Sequence, residues 1–187
     1  MHTLSLIALA LGVSWRLYWH TMEKRADRNK PKTKHHLFQV ERAGIFIISV
    51  FILTQLLGLV VFPFHSPVVQ TVGLVITFLG FIECMIARHN LADNWANSFE
   101  YQIKEKHELI TSGIYRYVRH PIYGGMWLMG CGMLLVAGSL TVVIYIPVVM
   151  TALVPLARRE EKLLTDTFGL HYSAYMKTSK RFIPFVW

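Results

Sequence analysis

The sequence has few charged residues and few cysteines. Only 16% of the 187 residues are charged and 53% are apolar, whereas a soluble domain usually carries about 25% charge. This shortage of charge, with a mean hydropathy of +0.40, excludes a disordered chain and indicates a membrane protein. The two cysteines, Cys84 and Cys131, lie in apolar runs outside any CxxC or Cys/His cluster. We therefore expect neither a disulfide nor a metal site.

Acidic residues are also scarce relative to basic ones. The chain has 11 Asp and Glu against 19 Lys and Arg, a formal net charge of +8. In a soluble protein this excess would suggest a polyanionic partner. In a membrane protein it more often reflects basic loops held on the cytoplasmic side. We therefore expect the lipid bilayer, and no nucleic acid, among the partners.

Five apolar runs predict an all-α membrane protein with five transmembrane helices. Three of them occupy residues 1–19, 43–62 and 67–87, and the last two share residues 121–157. A spanning helix needs about 20 residues, so the last two fit only as a tight hairpin that turns at Ala137-Gly138-Ser139. The first run has no basic residues ahead of it and no clear cleavage site, which makes a signal peptide the weaker interpretation.

The basic residues predict how these helices are oriented. Lys and Arg are concentrated between the first and second runs, between the third and fourth, and after the fifth. The other two connections, one of which is Phe64-His65-Ser66, have none. Because basic loops stay on the cytoplasmic side, the N-terminus is predicted outside and the C-terminus inside. We expect a multi-pass membrane protein whose functional site faces the cytoplasm.

The cytoplasmic segment 88–120 is the first that is rich enough in polar and aromatic residues to hold such a site. Pro121 suits the first turn of the fourth helix, because it lacks an N–H group that would be unpaired there. Arg119 and His120 then stand at the N-terminus of that helix. Free N–H groups and two cations at this position favour an anion such as a carboxylate. An interfacial anchor at the depth of the lipid headgroups is the alternative interpretation.

Three acidic residues elsewhere are of interest. Glu160 and Glu161 lie in the second rich segment, 158–187, where charged residues continue the fifth helix until Gly169, its predicted end. They are candidates for a binding site, and the alternative is that they are solvated helix charges screened by basic neighbours. Glu83 lies inside the third apolar run, where a carboxylate is costly and often functional. It could also have a structural role as the partner of a nearby arginine, Arg16 or Arg88.

The run H-x-L-I-x-S-G-I-Y-R-Y-V-R-H-P-I-Y at 107–123 resembles the signature of the isoprenylcysteine carboxyl methyltransferase family. Three shorter motifs extend the resemblance: E-E-x-x-L at 160–164, F-G-x-x-Y-x-x-Y at 168–175 and R-F-I-P at 181–184. Asn94-Trp95 is similar to a family Asn-Trp-Ser, except that Ala96 replaces the serine. The resemblance covers residues 88–185, and the first two helices match only in hydropathy and topology. The wider relatives include phospholipid N-methyltransferases and small-thiol methyltransferases.

The resemblance implies a single membrane domain over 1–187 that uses S-adenosylmethionine (SAM). Residues 1–87 would supply three spans and a basic loop, and residues 88–187 the catalytic part. The sequence lacks the glycine-rich motif of a soluble Rossmann methyltransferase. The resemblance instead implies a pocket between the cytoplasmic ends of the last helices, closed by the loop and a helical C-terminal tail.

The resemblance also implies the residues of that pocket. The backbone around three residues would hold the adenine: His107, Leu109 and Ile110. Three side chains would line the pocket, with the histidine holding the amino-acid end of SAM: Tyr115, His120 and Tyr123. Glu160 or Glu161 would bind the ammonium or the ribose. Tyr172 and Tyr175 would close the lower wall.

The implied reaction is methyl transfer to the carboxylate of an isoprenylcysteine-like, lipophilic or prenylated acceptor, which would reach the site between helices from the inner leaflet. A carboxylate is already ionised at pH 7, so the protein mainly aligns the reactants. Arg119 is expected to orient the acceptor carboxylate through two hydrogen bonds. A phospholipid amine or a small thiol is the alternative acceptor, and it would need a base such as Glu161 or a neutral histidine. A transporter or a structural subunit is the alternative of another class. A transporter, however, would be expected to show internal repeats and polar residues at the bilayer midplane.

Overall fold

The structure is a computed structural model that describes residues 3–26, 36–91 and 109–184. Six α-helices follow one another in these ranges: α1 (Thr3–Ala26), α2 (His36–Leu56), α3 (Pro67–Leu91), α4 (Pro121–Val136), α5 (Val142–Phe168) and α6 (Leu170–Thr178). A 3₁₀ turn, Gly113–Arg116, precedes α4. The described residues form no β-strand, and two isolated bridges join distant segments: Pro63 with Ser139, and Val118 with Lys180.

Two of these helices are long and apolar enough to cross a membrane. They are α3, with 25 residues, and α5, with 27. The apolar stretches of α2 and α4, Ala43–Leu56 and Pro121–Val136, are shorter. Large apolar side chains on the outer faces are widely exposed, for example Phe46 (69%) and Val68 (73%), as expected of helices that face lipid. The all-helical prediction is therefore confirmed for the described residues, whereas the five-span count and the orientation stay predictions.

Helix α4 is the centre of the fold and packs against α3 through glycines. A Cβ atom at Gly80 would lie 2.5 Å from the carbonyl oxygen of Gly125, and one at Gly132 would lie 2.4 Å from the hydroxyl oxygen of Thr77. No side chain fits between the two backbones at these points. Close approach through small residues is a common way for helices to pack within a membrane. It makes α3 and α4 a fixed pair on which the other elements are arranged.

The predicted hairpin turn between the last two apolar runs is confirmed. Helix α4 ends at Val136 and α5 begins at Val142, and Gly138 adopts a φ of 70° that a residue with a side chain rarely accepts. Gln55, at the end of α2, closes this end of the molecule. Its side chain donates to the carbonyl of Leu59 (3.1 Å) and accepts from the backbone N–H of Val61 (2.9 Å). We call this region the hairpin end.

Helix α5 has an apolar and a charged part. The apolar part ends at the fully buried Ala157. The charged part, 158–168, extends beyond it and we take it to lie outside the membrane-spanning segment. Gly169, with a φ of 56°, ends the helix as predicted and begins α6. The turn brings α6 and the tail after it towards the start of α4. We call this region the charged end.

Candidate active site

The candidate site lies where the start of α4 meets the tail that follows α6. Lys180 donates its backbone N–H to the carbonyl of Tyr117 (2.9 Å), and its own carbonyl accepts from the N–H of Arg119 (2.8 Å). The N–H of His120 donates to the carbonyl of Arg181 (3.0 Å). These bonds form a short parallel bridge. Arg181 thus becomes a neighbour of Arg119 and His120, which lie about sixty residues earlier in the sequence.

Glu161 is the common partner of these three residues. Its Oε1 atom accepts from Nε of Arg119 and from Nε of Arg181, both at 3.0 Å, and its Oε2 accepts from Nη2 of Arg181 at 2.7 Å. The Nε2 atom of His120 lies 3.4 Å from the same Oε1, as an ion pair without hydrogen-bond geometry. Burial alone would raise the pKa of Glu161, but the adjacent His120 and the hydrogen bonds from Arg181 and Arg119 outweigh it and hold that pKa below its usual range. Glu161 is therefore a buried, ionised carboxylate.

Arg119 also fastens the end of α6. Its Nη1 atom donates to the carbonyl of Met176 (3.1 Å), to the carbonyl of Ser179 and to the Ser179 hydroxyl (3.3 Å). Carbonyl groups at a helix C-terminus lack partners within the helix, so a guanidinium is a suitable donor. Nη2 is the only nitrogen of the Arg119 guanidinium that donates to no protein group in the described part of the chain. A two-bond grip on an acceptor carboxylate, as expected from the sequence, would have to replace either the Nε contact with Glu161 or the Nη1 contacts with the end of α6.

Glu160 has fewer protein contacts and is more exposed. Its Oε2 atom accepts from the Tyr123 hydroxyl at 3.0 Å and lies 3.4 Å from Nδ1 of His120. Its side chain is 28% exposed, against 8% for Glu161. Among the described residues no group donates to Oε1 of Glu160. Of the two candidate acids, Glu160 is thus the one with an oxygen accessible to a ligand.

His120 lies between the two carboxylates and stacks on Tyr123, with ring centroids 5.5 Å apart. Burial alone would lower the pKa of His120, but bonds and charge from Glu160 and Glu161 outweigh it and raise that pKa above its usual value. Each ring nitrogen faces a carboxylate, so the imidazolium, with two N–H groups, satisfies both contacts. The site therefore holds three cationic side chains against two anionic ones.

Three tyrosines join α6 to the 3₁₀ turn. The Tyr175 hydroxyl donates to the carbonyl of Tyr115 at 2.6 Å, and the Tyr172 ring meets that of Tyr175 edge-on, with centroids 5.7 Å apart. All three side chains are buried. Burial raises the pKa of Tyr175 to about 12 and that of Tyr172 further, so these groups are neutral phenols at physiological pH.

The remaining predicted residues lie on the loop side. Leu109 and Ile110 are half-buried and precede the 3₁₀ turn. Gly113 begins that turn with a φ of 61°, and a Cβ there would lie 2.0 Å from the Asn90 side-chain amide. His107, like Asn94 and Trp95, lies outside the described residues, so its predicted role is untested.

Sequence reasoning missed two residues of the site, Arg181 and Phe182. Arg181 supplies two of the hydrogen bonds to Glu161, and this carboxylate raises the pKa of the guanidinium. Phe182 is 1% exposed, and its ring centroid lies 6.0 Å from that of His120. Both lie in the R-F-I-P motif, and this motif is the sequence signal that could have identified them as site residues.

Glu83 forms an ion pair with neither Arg16 nor Arg88 within the described part of the chain. In the same part, no group of three His, Cys, Asp or Glu residues has the arrangement needed to hold a metal ion.

A family model described as phospholipid methyltransferase matches residues 68–171. The matched range contains α3, α4, α5 and both candidate acids.

Individual relatives carry more specific names. The protein-S-isoprenylcysteine O-methyltransferase of Saccharomyces cerevisiae is 30% identical over 116 residues, which cover 61% of this chain and 48% of the yeast protein. A probable protein-S-isoprenylcysteine O-methyltransferase of Oryza sativa subsp. indica is 28% identical over 120 residues, which cover 63% of this chain and 62% of the rice protein. The chain thus matches about half to three fifths of the length of these relatives.

Among solved structures, the chain is similar to a eukaryotic intramembrane Ras methyltransferase, an isoprenylcysteine carboxyl methyltransferase. The TM-score is 0.58, the sequence identity is 21%, and the match covers 82% of this chain and 55% of that one. The similarity establishes a shared helical fold.

Proposed function

The chain belongs to the phospholipid methyltransferase family, and from that premise we propose that it is a membrane methyltransferase that uses SAM. The acceptor we propose is the carboxylate of an isoprenylcysteine-like, lipophilic molecule, in keeping with the names of the relatives. The observation that carries the proposal is the cluster of Arg119, His120, Glu160, Glu161 and Arg181, assembled from both motif regions at one end of α4. We call these five residues the charge cluster.

The residues at the charged end fit SAM. When bound, SAM would supply a methyl group attached to a positive sulfonium, and it also carries an ammonium, a carboxylate and an adenosine. The accessible Oε1 of Glu160 can accept from an ammonium or a ribose hydroxyl. The cationic side chains suit the carboxylate, and half-buried Leu109 and Ile110 offer an apolar contact for the adenine. His107, Tyr115, Tyr123, Tyr172 and Tyr175 keep the roles that the resemblance implies.

We assign different roles to the two acids. Glu160 contacts the cofactor through its accessible oxygen. Glu161 instead holds Arg119 and Arg181 in position, because both of its oxygens already accept hydrogen bonds from guanidinium groups. Removing one partner from such a buried group leaves the others uncompensated. The effect of Glu161 on catalysis is therefore through positioning.

Arg119 orients the acceptor through Nη2 in this proposal. A single charge-assisted hydrogen bond from this atom can hold one carboxylate oxygen, while Glu161 and Ser179 fix the rest of the guanidinium. No general base is needed, because the acceptor carboxylate is ionised at pH 7.

We propose that the chain spans the membrane five times, with the N-terminus outside and the charge cluster at the cytoplasmic face. The exposed basic side chains of the charged end, such as Arg158, Lys177 and Lys180, support this orientation. Residues 1–87 and 88–187 then form one domain, and a lipophilic acceptor enters laterally from the inner leaflet.

A phospholipid amine is the second candidate acceptor, because the family model carries the phospholipid methyltransferase description. An amine must lose a proton before or during transfer, so this reaction needs a base. Glu160 is the more suitable base, since Glu161 accepts bonds from two arginines.

The test is methylation by the purified protein in lipid nanodiscs with SAM labelled in the methyl group. One acceptor is N-acetyl-S-farnesylcysteine and the other is phosphatidylethanolamine. A methyl ester releases labelled methanol in base, whereas a methylated amine does not. We expect base-labile label in the farnesylcysteine product. Stable label in the lipid alone would favour the amine, and no label with either acceptor would overturn the proposed activity.

A further inference from the structure

The residues just before α4 and the first residue of the tail form an exposed basic surface that the proposed mechanism does not use. Arg116 and Lys180 are exposed, and the side chain of their neighbour Tyr117 is 45% exposed. Within the described part of the chain, no acidic group pairs with Arg116 or Lys180. Exposed cations without an acidic counterpart attract an anionic partner. We call Arg116, Tyr117 and Lys180 the basic rim.

The bridge between Val118 and Lys180 brings the basic rim together. The N–H of Lys180 donates to the carbonyl of Tyr117 at 2.9 Å, and the carbonyl of Lys180 accepts from the N–H of Arg119 at 2.8 Å. The tail lysine therefore lies beside the segment that contains Arg116 and Tyr117. Because both of its backbone groups are bonded to this segment, the basic rim is a fixed surface of the fold.

The basic rim lies at the depth that we assign to the lipid headgroups. The apolar stretch of α4 begins at Pro121, four residues after Tyr117, and the bridge holds Lys180 at the same level. Tyrosine, arginine and lysine are the side chains expected where a membrane meets water. Basic groups at this level are attracted by the anionic lipids of the cytoplasmic leaflet.

Acidic side chains at the charged end are arranged so that they do not oppose this attraction. Glu160 and Glu161 contact cations of the charge cluster. Asp166, the third acid within residues 109–184, is exposed and follows the buried Ala157 by nine residues on α5, about 13 Å along the helix. Arg158, the first residue after Ala157, is exposed. Positive charge close to the bilayer and negative charge further from it complement an anionic membrane surface.

We propose that the basic rim binds the headgroup of an anionic phospholipid of the inner leaflet and thereby clamps the tail to the start of α4. Lys180 supplies both backbone partners of the bridge, so a headgroup held by its side chain and by Arg116 stabilises that bridge. The inference rests on the membrane orientation given with the proposed function, but not on methyl transfer. Basic residues that only orient the chain would have no such effect on the folded protein.

The test compares the purified wild type and Lys180→Gln in two kinds of nanodisc. One contains only phosphatidylcholine, and in the other about one third of the lipid is phosphatidylglycerol. The thermal midpoint of the wild type should be higher by about 2–4 °C with phosphatidylglycerol, because lipid that binds the folded state stabilises it. In Lys180→Gln this rise should be less than half as large. Native mass spectrometry should show that the variant retains phosphatidylglycerol roughly fivefold less than the wild type does, as for the loss of one basic residue near the surface.

The matched control is Lys162→Gln, which removes an exposed lysine of α5 that has Asp166 one helical turn away. It should keep the wild-type rise and the wild-type lipid retention. If Lys180→Gln does not fold, Arg116→Gln takes its place with the same expectation.

The inference is overturned if the wild type has equal midpoints in the two nanodiscs, or if Lys180→Gln behaves as Lys162→Gln does. Soluble glycerophosphoglycerol added to phosphatidylcholine nanodiscs should leave the midpoint unchanged. A rise as large as that with phosphatidylglycerol would overturn the assignment to a membrane lipid. None of these measurements uses SAM or an acceptor, so a failure of the proposed methyl transfer would not alter their outcome.

Discussion

The two ends of α4 are held by the same kind of backbone contact but by different side-chain chemistry. At the hairpin end, an isolated bridge joins Pro63 to Ser139, and at the charged end another joins Val118 to Lys180. The hairpin end is completed by neutral groups: the Ser139 hydroxyl donates to Gln55 (3.0 Å) and lies near the carbonyl of Val61 (2.8 Å). The charged end is completed by the charge cluster.

The difference between the neutral hairpin end and the charged end indicates a function for the charge cluster. Neutral hydrogen bonds are sufficient to fasten a crossing segment to α4, as Gln55 and Ser139 demonstrate. Charged side chains gathered in partly buried positions are costly to desolvate. Such an arrangement at only one end of a helix is therefore better explained by binding chemistry than by stability alone.

The largest expected effect is that of Glu161→Gln. Loss of the charge leaves the buried guanidinium of Arg119 and the partly exposed one of Arg181 without their carboxylate. The free energy of unfolding should fall by about 3–5 kcal/mol, which thermal unfolding in detergent would measure. Glu160→Gln is the control: because Glu160 is more exposed, it should lose much less stability. Equal losses in the two variants would contradict the separate roles of the acids.

Gln55→Ala should destabilise the hairpin end without affecting SAM binding at the charged end. Removing this buried side chain takes away the acceptor of the Val61 N–H and the donor to the Leu59 carbonyl, which costs about 1–3 kcal/mol. The thermal midpoint should fall while the affinity for SAM stays within twofold. Thr71→Ala, an exposed α3 residue, serves as the unperturbed reference. A loss of SAM affinity in folded Gln55→Ala would mean that the two ends are not independent.

The stability of the charged end should depend on pH through the protonation of His120. Its pKa is raised in the folded protein by the adjacent carboxylates. Its stabilising contribution is therefore complete below the unfolded pKa of about 6.5 and is lost as pH rises through the higher folded pKa. The slope is at most about 1.4 kcal/mol per pH unit for one group. The thermal midpoint of the wild type should fall relative to that of His120→Asn above pH 6.5, and parallel curves would contradict a charged His120.

The smallest effect expected is that of Tyr123→Phe. It removes one hydroxyl, which donates to the partly exposed Glu160 at 3.0 Å, so the loss should be about 0.5–1.5 kcal/mol. We expect a weakening of SAM binding by roughly two- to tenfold, measured by calorimetry, because Glu160 is no longer oriented. Tyr145→Phe, on the hairpin half of α5, should bind SAM as the wild type does.

Local signals in the sequence predicted the features that depend on one or two residues. Pro121 at the first turn of α4, Gly138 in the hairpin and Gly169 at the end of α5 all lie where their backbone preferences indicate. These residues act through their own φ angles or missing N–H groups, so no knowledge of the rest of the chain is needed. The family motifs likewise identified the two regions that meet at the charged end.

Contacts between residues that lie far apart in the sequence could not be predicted from local sequence signals. The contacts of Glu161 reach 42 residues back to Arg119 and 20 residues forward to Arg181, and no local period encodes such a meeting. For the same reason, local sequence patterns could not predict the contacts of Arg119 with Glu161 and α6, which leave one guanidinium nitrogen for an acceptor. The close approach of the Phe182 carbonyl to Gly124 likewise depends on the packing of the tail against α4.

Equilibrium binding of SAM to the purified wild-type protein, measured by calorimetry, tests most directly whether the charged end is a cofactor site. We expect saturable binding with one site per chain, weakened roughly tenfold or more in Glu160→Gln and unchanged in Asp166→Asn. Thermal unfolding of the same samples shows that each variant is folded. No binding to folded wild-type protein at millimolar SAM would contradict the assignment, and so would binding that Glu160→Gln leaves unchanged.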